Sequence, residues 1–347
     1  MTIPQPPPLP AVLNDAELAS ASASLQRLLD ALDEVLFGQH ELIELVVTGV
    51  LARGHILLEG LPGLGKTELV KGLAKALGLG ARRVQFTPDL LPGDITGNPV
   101  LQDVDGRRRF VFQKGPVFAN ILLADEINRA SPKTQSALLE AMQERRVSAG
   151  GETHALPDPF FVLATQNPID LEGTYPLPEA QLDRFLFKIE VRRNSTDVLR
   201  RIVQNREIGA EPDVPVVLGA EEFARLAALA RRVHVPGVVA DYIARLVNAT
   251  HPGESAESAG VRFGASPRAA LALAAAARAR GLRHGRPHAS FEDVRAVARP
   301  VLAHRILLEH TARLDGATPA GVVEKLLAGV PVQSKALPDS LAAAKIQ

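Results

Sequence analysis

Eight consecutive residues, Gly60-Leu61-Pro62-Gly63-Leu64-Gly65-Lys66-Thr67, have the spacing G-x-x-x-x-G-K-[ST] of a phosphate-binding loop. The glycines let the backbone curl so that its N–H groups point inward. A helix starting at the end of the loop adds the positive end of its dipole. Lys66 can reach β- and γ-phosphates, the Thr67 hydroxyl can ligate Mg²⁺, and Glu68 completes the candidate nucleotide-binding set. Asp125-Glu126 ends an apolar run at 120–124. A carboxylate there can join the Mg²⁺ shell, and Glu126 can orient or deprotonate an attacking water. Asn167 ends a second apolar run at 160–165 and can hold that water, although Asn-Pro after a strand is by itself an ordinary turn.

Two arginines extend this set. Arg184, in Gln181-Leu182-Asp183-Arg184-Phe185, follows a Gly- and Pro-containing loop at 172–180. It either neutralises transition-state charge on a neighbouring subunit's nucleotide or pairs with Asp183 or Glu179 at the surface. Arg268 falls in the first turn of an expected helix, where the dipole disfavours a cation. A nucleotide phosphate would account for it, and so would a plain surface position. Lys66, Glu126, Asn167 and Arg184 are therefore the catalytic candidates. Residues 60–68, Asp125 and Arg268 are the nucleotide-binding candidates, and Thr67 and Asp125 the metal ligands. The nine histidines show no metal-site pairing, and no Ser/His/Asp nucleophilic arrangement is legible.

These groups need a scaffold to hold them. Residues 54–59 read as a buried parallel strand leading into the loop. Leu69, Val70, Leu73, Ala76 and Leu77 recur at helical spacing after it, stopped by Gly78 and Gly80. Upstream, Asn14 or Asp15 can cap a helix to about Leu36, and a second helix covers about 40–53 after Phe37-Gly38-Gln39. Further strands are expected at 82–86, 120–124, 160–165 and 186–191, with a helix capped by Ser131 and carrying Pro132 in its first position. Asp105-Gly106 and Gly150-Gly151 predict hairpins at about 99–112 and 146–156. Arg107, Arg108 and Arg109 in the first hairpin either touch phosphate or an acidic partner or form a solvated tip.

Strands alternating with helices through about residue 192 predict an α/β fold with a doubly wound parallel sheet. From Ser195 on the pattern is helical only, at about 195–207, 220–233, 237–249, 266–281, 290–309 and 319–328. The expected organisation is a Pro-rich tail at 1–12, an α/β core at 13–192, a smaller all-α domain at 193–330 and a loosely ordered tail at 331–347.

Composition narrows the function classes. The 347 residues suffice for two cores, and 46% hydrophobic with 22% charged residues fits a soluble globular protein. Zero formal net charge argues against a protein whose main business is binding nucleic acid or an anionic membrane. Without cysteine there is no disulfide framework and no thiolate nucleophile. No apolar run is long enough to span a bilayer, and the Pro-rich start lacks the pattern of a signal peptide, so a cytoplasmic protein is expected.

Taken together, these stretches resemble the MoxR-type AAA+ ATPases, in the clade that includes magnesium chelatase ATPase subunits and MCM helicases. The resemblance runs from about Phe37 to about residue 328. Beside the loop it rests on Gln85-Phe86-Thr87-Pro88-Asp89-Leu90-Leu91-Pro92-Gly93-Asp94-Ile95-Thr96-Gly97, on the stretch from Gly115-Pro116-Val117-Phe118 to Asp125-Glu126-Ile127-Asn128-Arg129-Ala130, on Ala164-Thr165-Gln166-Asn167-Pro168 and on Pro178-Glu179-Ala180-Gln181-Leu182-Asp183-Arg184-Phe185. It implies Walker A at residues 60–67, Walker B at Asp125 and Glu126, sensor 1 at Asn167, an arginine finger at Arg184 and sensor 2 at Arg268. It also implies an AAA+ domain with a five-stranded sheet of order 5-1-4-3-2, an all-α lid, and two hairpins that face a ring pore. ATP and Mg²⁺ would be the cofactors. The partners would be copies of the chain in a ring, usually a hexamer, a von Willebrand factor A domain protein and a client protein that is assembled or activated, sometimes by metal insertion. A nucleic-acid translocase and a nucleotide-gated scaffold are the competing readings; nucleic-acid binding is not expected.

Overall fold

Residues 13–61, 63–104, 107–168, 173–207 and 214–333 are described by a computed structural model. The Pro-rich tail at 1–12, Pro62 of the glycine loop, the Asp105-Gly106 turn, Glu172 and the tail from 334 on lie outside the described residues. Two helices, α1 (Asp15–Val35) and α2 (His40–Leu51), precede β1 (Ile56–Glu59), α3 (Lys66–Ala76), β2 (Ala81–Gln85) and the short α4 (Pro92–Thr96). A hairpin of β3 (Gly97–Val104) and β4 (Arg107–Lys114) leads to β5 (Ile121–Asp125) and α5 (Pro132–Glu144). A second hairpin, β6 (Arg146–Ala149) and β7 (Glu152–Ala155), is followed by β8 (Phe161–Gln166), α6 (Glu179–Leu182) and β9 (Phe187–Glu190). The remainder runs α7 (Thr196–Asn205), α8 (Ala220–Arg232), α9 (Gly237–Asn248), β10 (Val261–Phe263), α10 (Pro267–Arg283), α11 (Phe291–Leu302), β11 (Leu307–Leu308), α12 (His310–Leu314) and α13 (Pro319–Gly329).

The central sheet has the order β2-β5-β8-β1-β9 with every pairing parallel. Counted among sheet strands alone, that is 5-1-4-3-2, as the resemblance implies. The inner strands β1, β5 and β8 are near-continuous apolar runs because both their faces are covered, whereas the edge strand β2 is largely exposed. Ile56, Leu58, Ile121, Leu123, Phe161 and Leu163 face a cluster that takes in α1, α2, α3 and most of the C-terminal helices. Leu57, Leu122, Ala124, Val162 and Ala164 face α4, α5 and the roots of the two hairpins. Helix α1 starts as its sequence requires: Asn14 Oδ1 accepts from the Glu17 N–H at 2.8 Å, and Glu17 Oε2 accepts from the Asn14 N–H at 3.0 Å. The two hairpins pack on each other through stacked Phe112 and His154 rings, with centroids 4.1 Å apart.

Three expectations need correction. The C-terminal part is not purely helical, because β10 and β11 form a small antiparallel ladder. For the same reason the helix read at 290–309 ends at Leu302 and continues as a 3₁₀ turn through Arg305. Buried Leu308 and Val261 join the apolar cluster only when the chain leaves the helix there. Main-chain acceptors then take up the inward-turned His304 and Arg305. The first hairpin is also longer than expected, because its antiparallel pairing runs unbroken from Gly97 opposite Lys114 to Val104 opposite Arg107.

His55 locks the entry to β1. Its Nε2–H donates to the Met142 carbonyl at 3.1 Å, and its Nδ1 accepts from the Val162 N–H at 3.0 Å. Both nitrogens are therefore used by the neutral ring, and burial lowers its pKa to about 4. An unfolded histidine titrates near 6.5. Between those values the unfolded chain binds a proton that the folded chain excludes, so stability is full above about pH 6.5 and falls as pH drops toward 4. The loss attributable to this one ring reaches about 3 kcal/mol. Urea midpoints measured at pH 7 and pH 5 should fall more for the native chain than for His55→Gln; equal falls would remove His55 as the cause.

Candidate functional site

The glycine loop joins the carboxyl end of β1 to the amino end of α3. Gly63 and Gly65 have φ of +79° and +80°, the left-handed region that side chains avoid. A Cβ on Gly65 would also lie 2.4 Å from Leu36 Cδ1. Lys66 Nζ donates to the Gly60 carbonyl at 2.7 Å, so its ammonium lies back along the loop. Desolvation lowers its pKa from the ordinary lysine value, opposed by the nearby Asp125 and Glu126 carboxylates.

Strand register brings the other candidates to the same edge. Glu59 pairs with Gln166, and the Gly60 N–H donates to the Gln166 carbonyl at 3.2 Å, which sets buried Asn167 beside the start of the loop. From β8, the Thr165 hydroxyl donates to Asp125 Oδ1 at 2.6 Å and accepts from the Glu126 N–H at 2.8 Å. Asp125 Oδ2 accepts from Arg83 Nη2 at 2.7 Å. Glu126 has a left-handed backbone, φ +55°, and its Oε2 accepts from Gln85 at 2.7 Å and from Arg129 at 3.0 Å. Both contacts fall on Oε2 and restrain the carboxylate, leaving Oε1 as the oxygen that can meet a water.

The Thr67 hydroxyl and the Asp125 carboxylate are hard oxygen donors; Asp125 Oδ1 keeps a lone pair beyond the one bond it accepts from Thr165, while Oδ2 accepts two from Arg83. Such a pair fits Mg²⁺, which takes few protein ligands and completes its shell with water and phosphate oxygens. Among the described residues, no three His, Cys, Asp or Glu gather into an all-protein metal cage.

Arg184 and Arg268 lie elsewhere. The Leu186 N–H donates to the His55 carbonyl at 2.8 Å, so the turn at 183–186 meets the sheet where β1 begins. The glycine loop leaves from the other end of that strand, about 13 Å away for four residues. Arg184 Nη1 donates to the Leu139 carbonyl at 3.0 Å, and its Nε is buried without a partner. It forms no ion pair among the described residues, contrary to the surface pairing with Asp183 or Glu179. Arg268 is exposed, 3.6 Å from Asp183 Oδ2, and Ser266 Oγ donates to the same oxygen at 3.0 Å. Lys66, Asp125, Glu126 and Asn167 are thus brought together. Arg184 and Arg268 are brought to one another's neighbourhood, at the opposite edge from the chain's own loop.

Arg305 and His304 escaped the sequence reading, because they fall in what reads as uninterrupted helix. The Arg305 side chain is only 3% exposed. Its Nε donates to Asp183 Oδ1 at 2.7 Å, Nη2 to the Asp183 and Phe185 carbonyls at 3.1 and 2.7 Å, and Nη1 to the Leu186 and Val301 carbonyls. The His304 Nε2–H donates to the Phe185 carbonyl at 3.2 Å. The turn that carries Arg184 is therefore clamped by the segment after α11. Gly38-Gln39, read only as a helix break, lines a cleft of about 660 Å³ that also touches Glu59, Asn194 and Val198. Gln39 Nε2 donates across it to Asn194 Oδ1 at 2.7 Å.

Comparison with known proteins fits this geometry. Residues 55–187 match the ATPase family associated with various cellular activities (AAA), and residues 253–326 match the AAA lid domain. The chain is 44% identical over 325 residues to Chaperone MoxR1 of Mycobacterium tuberculosis, covering 92% of this chain and 84% of that protein. It is 35% identical over 328 residues to Protein MoxR of Paracoccus denitrificans, covering 87% and 94%. A crystal structure of a putative ATPase from Cytophaga hutchinsonii superposes with a TM-score of 0.86 at 37% identity, covering 92% of this chain and 98% of that one.

The clamp makes its own test. Arg305→Ala removes a donor from the Asp183 carboxylate and from four main-chain carbonyls, and should lower stability by about 3–5 kcal/mol in chemical denaturation. Arg305→Lys should recover only part of that, because a single ammonium cannot span the acceptors that a guanidinium fork reaches.

Proposed function

The chain belongs to the MoxR-type AAA+ ATPases and is an ATP hydrolase, and on that footing we propose that it is a hexameric ring-forming motor that remodels, assembles or activates a client protein. One observation carries the ring: Lys66 and Arg184 sit at opposite ends of β1, too far apart in one chain to share a nucleotide. Two neighbouring copies complete the site between them, one giving the loop and the other giving Arg184. Arg268, tied to the same Asp183, acts from the same side.

Within such a boundary each residue has a role. The N–H groups of residues 60–68 and the Lys66 ammonium bind the ATP phosphates. Thr67 and Asp125 hold Mg²⁺, which supplies charge neutralisation on the β- and γ-phosphates when bound. Glu126 takes the proton of the attacking water, and Asn167 holds that water in line. Thr165 holds Asp125 and Glu126 in fixed relation from the next strand. The cleft beside Gly38-Gln39 opens next to Glu59 and has room for the nucleoside.

The client end is the pair of hairpins. Phe110 and Leu101 are 74% and 50% exposed on the first of them, an apolar surface fit for contact with another polypeptide. A von Willebrand factor A domain partner, metal-cofactor insertion and a cytoplasmic location complete the proposal on family likeness. So does a boundary near residue 192 between the ATPase core and the lid. No helix among the described residues is long and apolar enough to cross a membrane.

Glu126→Gln should keep ATP affinity and lose hydrolysis by roughly 10²-fold or more, since the neutral amide cannot accept the proton while Asp125 remains. Normal turnover in that variant would move the base elsewhere. Arg184→Ala and Lys66→Ala should each be inactive, with turnover down by about 10³-fold for Arg184→Ala. Mixed, they can form boundaries with an intact loop on one side and an intact Arg184 on the other. Partial recovery of ATPase activity on mixing is the expected result; none, with mixed rings seen by light scattering, would place Arg184 in cis.

A further inference from the structure

Four arginines, Arg53, Arg145, Arg231 and Arg278, line one cavity of about 440 Å³ whose remaining walls are leucine and alanine side chains of α2, α8 and α10. Arg53 leads into β1, so the cavity lies toward the end of that strand remote from the glycine loop. The carboxylate at hand is Asp158, in contact with Arg53 and 3.8 Å from Arg145, and it is itself 71% exposed. Among the described residues, Arg231 and Arg278 make no ion pair and no hydrogen bond, and the Arg278 Nε is buried without a partner. Arg145 feels the crowding: burial lowers its pKa, Arg53 and Arg231 lower it further, and Asp158 opposes them.

The backbone gives a second, independent observation. Among the described residues, three non-glycine positions have φ in the left-handed region: Arg53 at +60°, Arg145 at +53° and Glu126. Glu126 is the candidate base. The other two both line this cavity, at positions after helices where glycine is the relaxed choice, and Arg145 Nη2 donates to the Arg53 carbonyl at 3.1 Å. Strained backbone retained for a particular side chain is a mark of use. Helix ends explain only part of the arginine content, since each contributes about half a negative charge and three such ends converge here. Four guanidinium groups against one carboxylate exceed that.

We infer that this cavity is a second anion site, and that it takes a small phosphorylated anion. Guanidinium forks match phosphate oxygens two at a time, the apolar walls suit a short organic body, and the concave shape sets the size of the occupant. Bound there, the anion would join the C-terminal ends of α2, α5 and α8 to the middle of α10, adding a tie between the sheet and the helical part without touching the hydrolysis site.

The probe is inorganic pyrophosphate, titrated calorimetrically at low salt into the full-length Lys66→Ala variant, whose glycine loop no longer competes. One saturable site is expected, weakening as salt rises. Adding Arg231→Gln and Arg278→Gln should reduce affinity at least tenfold. Neither arginine makes a hydrogen bond or ion pair among the described residues, so the chain should stay folded by thermal melt, and the same pair of changes in the native chain should leave ATP turnover unaltered. No saturable binding to Lys66→Ala, or affinity within twofold after both changes, would overturn the inference.

Discussion

Strand β8 lies between β1 and β5, although it follows both in the chain, and the site depends on that insertion. Parallel neighbours finish at the same edge about 4.8 Å apart, so three separate strands deliver the glycine loop, the Asp125-Glu126 pair and Asn167 to one place. A slip of one residue would turn each side chain of β8 to the other face. Both faces forbid it, since Phe161 and Leu163 are buried in one cluster and Val162 and Ala164 in the other. Thr165 carries this register into the chemistry. Its hydroxyl donates to Asp125 and accepts from the Glu126 backbone, so the two carboxylate residues inherit their geometry from the packing of the strand beside them.

Much of this was legible because each part has a local signature. The glycine loop declares itself by backbone demand, the buried strands by continuous apolar runs, and the helix starts by Asn14, Ser131, Ser266 and Thr318, each of which caps the helix that follows. What stayed hidden is set by distance in the chain. Asp183 and Arg305 are 122 positions apart, and no periodicity connects them. The turn at 303–305 was concealed by apolar spacing that continues through Leu302 and Ile306 as if the helix did. Arg268 was readable as a misfit at a helix start, but its partner was not. The sequence reading left it between a nucleotide phosphate and a plain surface position, and could not show that the fold sets it 3.6 Å from the Asp183 carboxylate.

Asp183 shows how a half-buried charge can organise a region. Its carboxylate meets Arg305 on one oxygen and Ser266 and Arg268 on the other, drawing on the 3₁₀ turn after α11 and on the first residues of α10. A buried ion pair is weak evidence for stability, because desolvation offsets much of the attraction. Its value here is directional. Arg305 also saturates the carbonyls of Phe185 and Leu186, so the backbone that leads into β9 has one arrangement rather than several.

The apolar cluster on the α3 face of the sheet does not stop where the strands end. It runs without a break from Leu25 and Val46 through Phe161, which meets Phe223 edge-on at 5.7 Å, and on to Leu273, Val297 and Val323. Close-packed interiors shift between discrete arrangements instead of bending smoothly. A helical part rooted in the same interior as the sheet is therefore no swinging cover. Any movement of one against the other has to part contacts such as Phe161 on Phe223 and repack that shared interior.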